Sequence, residues 1–364
     1  MERRRFLSAQ AGGLAGLGIF RLFSIGAKAD EPRKRLRRGV SLAGAEFASE
    51  KADFSNENPG VFGRDYNYNS ERTIEYFCEQ GMPLLRLPIR WERIQPRLGQ
   101  PLDEEELNRF KTAVGWARKH QGEVIIDIHN YGRYAVQRGG RKSECVIDQP
   151  AGGLSAVTRE HFADLWRRLS EVFRDEPAVY GYGLMNEPHD MGSSAWKLIS
   201  QAAVHAIRAA KDTKLILVAG DGWSNASRYA AVNGRRAWIR DPVDHVAYEA
   251  HCYFDHDHSG HYELDYDAEL ARDSALERRG ADRLKPFVSW CRANRVKGFL
   301  GEFGTPASDS RWRVVLARFL EALDRAGMKG CYWAAGEWWG TYPLSIQPTN
   351  DFQQAAPQMS VLTH

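Results

Sequence analysis

Eight short apolar runs, separated by stretches of helical pattern, constrain this chain more than any other feature. They fall at 39–47, 83–89, 123–129, 179–188, 214–220, 246–254, 298–303 and 330–335. Helix-opening residues lie between them. Ser70 precedes a stretch to Gln80 that Gly81 stops, and Asp103 precedes Glu104–His120. Ser155, Ser194 and Asp309 stand before further helical stretches. A small polar side chain satisfies the first free amides of a helix, and glycine ends one readily. Repeated βα units predict a parallel sheet, and eight predict closure into an α/β (β/α)8 TIM barrel, a single domain over 39–364. An open doubly wound sheet is the competitor, but no glycine-rich phosphate loop follows the first run.

In a barrel the carboxyl ends of the strands share one pocket, so the residues there carry the chemistry. The fourth run, Val179-Tyr180-Gly181-Tyr182-Gly183-Leu184-Met185-Asn186-Glu187-Pro188, ends in a polar pair and a proline. Proline lacks a ladder N–H and biases the residue before it, Glu187, toward extended geometry. The seventh ends Leu300-Gly301-Glu302-Phe303-Gly304, where glycines allow close approach to a carboxylate. Two strand-terminal glutamates suit glycoside hydrolysis, one protonating the leaving oxygen while the other attacks or activates water. Arg86 lies within the apolar Leu84–Pro88 strand, a costly place for a charge without a carboxylate partner. The third run ends Asp127-Ile128-His129-Asn130-Tyr131. In the sixth, alternation puts His251 and Tyr253 on one face and Cys252 on the other. The eighth leads into Trp333 and then Glu337-Trp338-Trp339-Gly340, a tryptophan cluster suited to stacking on sugars.

Asn186-Glu187-Pro188 after one strand, with Gly301-Glu302-Phe303-Gly304 after a later one, resembles glycoside hydrolase family 5. Ser41-Leu42-Ala43-Gly44-Ala45-Glu46-Phe47 and Trp338-Trp339-Gly340 are similar to its endo-β-1,4-glucanase (cellulase) branch, so the likeness runs from Gly39 nearly to the C-terminus. The resemblance implies a retaining, endo-acting enzyme that cuts internal β-1,4-glucosidic bonds by double displacement without a cofactor. Glu302 would be the nucleophile, supported by Arg86 and by the hydroxyl of Tyr253. Glu187 would be the acid/base, and Asn186 would bond the sugar 2-hydroxyl. His129, His251 and Trp333 would shape the subsite, with Tyr131, Trp338 and Trp339 lining further ones. Retention predicts carboxyl groups ~5–5.5 Å apart rather than ~6.5–9.5 Å. Glu337 departs from the pattern, standing where an apolar residue or proline is expected. β-Mannanase and xyloglucanase activities share this machinery, and a non-catalytic glycan-binding barrel is the alternative from another class.

Composition fits this reading. The 364 residues are 43% hydrophobic with net charge +3, too near neutral to argue for nucleic acid, while 11 Trp and 14 Tyr suit a sugar-gripping surface. Arg3-Arg4-Arg5-Phe6-Leu7, a weakly apolar run and Ala27-Lys28-Ala29 read as a twin-arginine-type signal over 1–29, implying a periplasmic or extracellular enzyme. A basic segment, 30–38, follows, and Arg21 within the apolar part argues against a membrane anchor. The expected partner is a β-glucan polysaccharide bound by a monomer. Five cysteines show no CxxC spacing, and their odd number leaves at least one without a partner in the chain. His256, Asp257, His258 and His261 crowd one loop, but their spacing fits no standard zinc pattern, so no metal is assigned.

Overall fold

The structure, a computed structural model, describes residues 38–139, 141–150, 157–191 and 196–363. The expected signal and the expected caps Ser155 and Ser194 lie outside the described residues. In chain order the strands are β1 (Gly39–Leu42), β2 (Leu84–Ile89), β3 (Glu123–Ile128), β4 (Arg133–Arg138) and β5 (Arg141–Val146). Then come β6 (Val179–Gly183), β7 (Leu215–Ala219), β8 (Val246–His251), β9 (Lys297–Glu302) and β10 (Lys329–Ala335). Eight of them close a barrel in the order β1-β10-β9-β8-β7-β6-β3-β2, each neighbouring pair parallel. β4 and β5 pair only with each other, as an antiparallel hairpin after β3. This hairpin lies outside the eight apolar runs. Its strands are polar, and Gly139-Gly140 between them is the sequence signal for such a turn.

Helices α1 (Glu71–Glu79), α2 (Trp91–Ile94), α3 (Glu104–Lys119), α4 (Arg159–Phe173) and α5 (Trp196–Ala209) serve the first half. The second half has α6 (Tyr229–Asn233), α7 (Tyr266–Arg272), α8 (Leu276–Asn294), α9 (Arg311–Ala326) and α10 (Met359–Leu362). Ser70 and Asp103 cap α1 and α3 as expected, accepting from Thr73 N and Glu106 N. Elsewhere the caps moved. Thr158 caps α4 through His161 N, and Ser310 is the N-cap of α9, while Asp309 accepts from Arg311 N at 2.8 Å. The departure at Glu337 has a structural reason. Its Oε1 accepts from Ser70 N at 2.8 Å and Thr73 Oγ1 at 2.7 Å, so the last barrel loop closes the start of α1.

Strand alternation sets the layers of the bore. Leu84, Ile125, Leu215, Leu217, Ala247, Phe299 and Cys331 form one buried apolar cluster. Two residues further along their strands come Arg86, Asp127, Glu249, Gly301 and Trp333, so polar chemistry begins one layer above that plug. The bulkier core, with Trp91, Trp166 and Trp312 fully buried, belongs to a separate cluster that takes in the helices.

Candidate active site

Glu302 ends β9, and plain alternation would turn it away from the bore. A register irregularity corrects this. Ala250 pairs with Leu300, but His251 pairs with Glu302, which leaves Gly301 as an extra residue. A Cβ at Gly301 would stand 1.8 Å from Glu249 Oε1 and 2.6 Å from His251 Nε2. The glycine is therefore required by its neighbours, and the shift aims the following carboxylate at the pocket.

Glu302 is buried and held at both oxygens. Arg86 Nη1 donates to Oε1 at 2.8 Å and Tyr253 Oη donates to Oε2 at 2.7 Å. Burial alone would raise its pKa, but His251 and Arg86, then His129 and the Tyr253 hydrogen bond, overcome burial, and the pKa is lowered to about 2. Arg86 has no exposed surface and answers for it with partners: Glu302, Asp127 at 3.2 Å, Glu249 at 3.8 Å, and Asn186 Oδ1, which accepts at 2.7 Å. This removes the objection to a buried charge in β2.

β6 ends at Gly183, earlier than the sequence suggests, and Glu187 lies in the left-handed region at φ 40°. The expectation of extended geometry before Pro188 is thus corrected. Local contacts overrule the proline bias: Asn186 N donates to Ile128 O, Tyr131 N to Asn186 O, and Trp223 N to Pro188 O. The turn brings Glu187 Oε1 to 2.7 Å from His251 Nδ1. Burial raises the Glu187 pKa, the His251 hydrogen bond and charge lower it, Glu302 adds to the rise, and the net direction is upward. Glu187 and Glu302 each place an oxygen within 4.8 Å of the other. That close approach suits direct attack better than the wider gap an inverting enzyme leaves for water.

Of the remaining expected residues, Asn186, His129, Tyr131, Trp333 and Trp339 are joined by contacts around this pair. Asn186 Nδ2 donates to His129 Nε2 at 3.1 Å, leaving its second N–H available to a ligand. His129 Nδ1 faces Asp127 Oδ2 at 2.9 Å, and Trp333, whose peptide with Ala334 is cis, stacks on the His129 ring at 5.3 Å. Tyr131 packs against His129 and near Trp223. The two late tryptophans differ. Trp338 is 41% exposed, whereas Trp339 is held edge-on by Phe47 and stacked on Tyr342 at 4.1 Å, a wall rather than a free platform.

Three contributors were not singled out from sequence. Asp127 orients His129, and Glu249 faces both His251 and Arg86. Trp223, 47% exposed and stacked on His189 at 3.4 Å, follows β7 in a Gly-Trp-Ser loop. Alternation along Glu249, His251 and Tyr253 was the available signal for the second. In the histidine-rich loop, His256 pairs with Glu269, and Asp255 accepts from Ser259 and from Tyr262 N. Among the described residues only Glu187, His251 and Glu302 bring three ligand-type atoms together, with His251 Nδ1 2.7 Å from Glu187 Oε1 and 3.5 Å from Glu302 Oε2.

A family description, Cellulase (glycosyl hydrolase family 5), matches residues 40–338. Endo-beta-1,4-glucanase B of Aspergillus niger is 30% identical over 301 residues, 82% of each chain. Endoglucanase 1 of a Robillarda species is 33% identical over 306 residues, 81% of this chain and 75% of that one. Among solved structures, Pseudomonas stutzeri endoglucanase Cel5A in complex with cellobiose superposes with TM-score 0.76 at 35% identity, over 90% of this chain and 91% of that one. An endo-beta-1,4-glucanase from Xanthomonas axonopodis pv. citri gives 0.75 at 36%, over 90% and 97%.

Proposed function

The chain belongs to the cellulase family, glycosyl hydrolase family 5, and on that premise we propose how its own residues cut a polysaccharide. It is an endo-β-1,4-glucanase acting on cellulose or related β-glucans with retention. The observation that carries the residue assignment is the pair of hydrogen bonds that fix Glu302 as a carboxylate, with Glu187 within 4.8 Å. One oxygen of Glu302 attacks the anomeric carbon while Glu187 gives its proton to the departing glycosidic oxygen. A covalent glycosyl-enzyme forms. Glu187, now a base, takes a proton from water, the water oxygen attacks the same carbon, and Glu302 leaves. Arg86 and Tyr253 keep Glu302 anionic before attack and receive the charge again when it leaves. The free N–H of Asn186 meets the 2-hydroxyl, a contact that tightens in the transition state. Trp333 forms the floor, with Tyr131, Trp338 and Trp339 extending the contact along the chain.

Residues 39–364 act as one catalytic domain, and Arg3-Arg4-Arg5-Phe6-Leu7 supports export to the periplasm or beyond through a segment ending near Ala29. No described helix is long and apolar enough to cross a membrane. A monomer suffices, since every group named above comes from one chain.

The test is hydrolysis of carboxymethyl cellulose, mixed-linkage glucan and mannan by the wild type, Glu187→Gln and Glu302→Gln, with the first-formed anomer read by NMR. Glucan cleavage with a β-anomeric product, lost in both variants, is the expected result. Preferred cleavage of mannan would replace the substrate, an α-anomer the mechanism, and binding without cleavage the enzymatic reading.

A further inference from the structure

Glu249 has no part in the chemistry above, yet it is only 2% exposed and stands beside it. Resting on the assignment of Glu187 as acid/base, we propose that Glu249 is a positioning residue. Its carboxylate holds a proton on His251 Nε2, so that the one exchangeable ring proton lies on Nδ1, in the hydrogen bond shared with Glu187.

The geometry leaves little choice. His251 Nε2 is 3.2 Å from Glu249 Oε1, and Nδ1 is 2.7 Å from Glu187 Oε1. Each ring nitrogen thus faces a carboxyl group, while a neutral imidazole carries only one N–H. Which nitrogen keeps it is set by the partner of the other. Glu249 accepts only, so the Nε2 side is fixed as donor. The Nδ1 side can then hold its proton on either the ring or Glu187, and the two act as one acid. The charged and titratable groups around His251 are Glu249 from β8, Glu187 from the loop after β6, Glu302 from β9 at 3.5 Å, and behind them Arg86 of β2 and Tyr253. Gly301 leaves room for this contact, since its Cβ would clash with both Glu249 and His251. Burial opposes charge on the ring, and the surrounding carboxylates overcome it, which agrees with this arrangement.

Removing the charge of Glu249 must lower the proton affinity of the Glu187–His251 pair as a unit, whichever partner holds the proton. In Glu249→Gln the amide oxygen can still accept from Nε2, so shape is kept and charge lost. The expected result is an alkaline limb of kcat/KM moved to lower pH by about one unit or more, with the acid limb in place. An unmoved alkaline limb, or a loss of the same factor at every pH, would overturn the proposal. If that variant does not fold, imidazole 15N spectra of the wild type decide. Nε2 should remain protonated while Nδ1 titrates, and loss of the proton from Nε2 first would overturn it. The spectra need no substrate, so a protein that cleaves no glucan would refute the functional reading and leave this one testable.

Discussion

At the scale of single residues, the site is organised by where charge is tolerated. Arg86 is the pivot, because Asp127, Glu249 and Glu302 are all buried against it. Replacing it with Met would leave carboxylates without their cation, and a loss of about 3–5 kcal/mol in denaturant unfolding is expected. Glu302→Gln keeps the shape and removes the carboxylate proposed as nucleophile. Turnover should fall at least about a thousandfold, ~4 kcal/mol in the barrier, while the chain still folds, with a lower melting temperature near neutral pH because Arg86 loses a buried carboxylate partner. Steady-state kinetics beside calorimetry separate the two effects, and retained activity would sink the assignment. Glu302 was legible in sequence because it stands at a strand end, and Arg86 because its charge interrupts an apolar strand. Glu249 was not, since a glutamate inside a strand earns notice only once its neighbours are known.

At the scale of elements, two local devices aim the chemistry. The extra residue at Gly301 turns Glu302 inward, and the left-handed turn at Glu187 brings the second carboxylate to face it. Gly301→Ala forces a methyl against Glu249 and His251. It should destabilise the fold by about 1–3 kcal/mol and also depress kcat, because the strain falls on site residues. A separate contact joins the last barrel loop to α1 through Glu337. Glu337→Ala should cost about 1 kcal/mol in thermal unfolding while sparing Glu302 chemistry. The repeated strand–helix alternation was legible from apolar runs and caps. The β4–β5 hairpin, the shift of the α4 cap to Thr158 and the early end of β6 were not, because each depends on partners distant in sequence or on weak local signals.

For the whole molecule, stability should depend on pH through the same groups. Glu302 ionises more readily folded than its ordinary value of 4.5, lowered to about 2, so its contribution is present above about 4.5 and is lost as pH falls toward 2. His251 runs the other way. Its pKa is raised from 6.5 to about 10, so its contribution is full below 6.5 and is lost as pH rises toward 10. Melting temperature should therefore peak between these limits, and a maximum at strongly alkaline pH would contradict the charge assignment. All five cysteines are free thiols, four of them buried. A reductant should leave the melting temperature unchanged, and a drop would reveal a disulfide that stabilises the fold.

The barrel was legible in the residues alone, and so was the candidacy of the two glutamates, because hydrophobic periodicity and strand-end position are local properties that a single chain displays. Which way Glu302 points, what neutralises Arg86, and that Glu249 faces His251 emerge with the folded barrel. Those depend on register between strands and on charges brought together from far along the chain, and an apolar pattern carries no record of either.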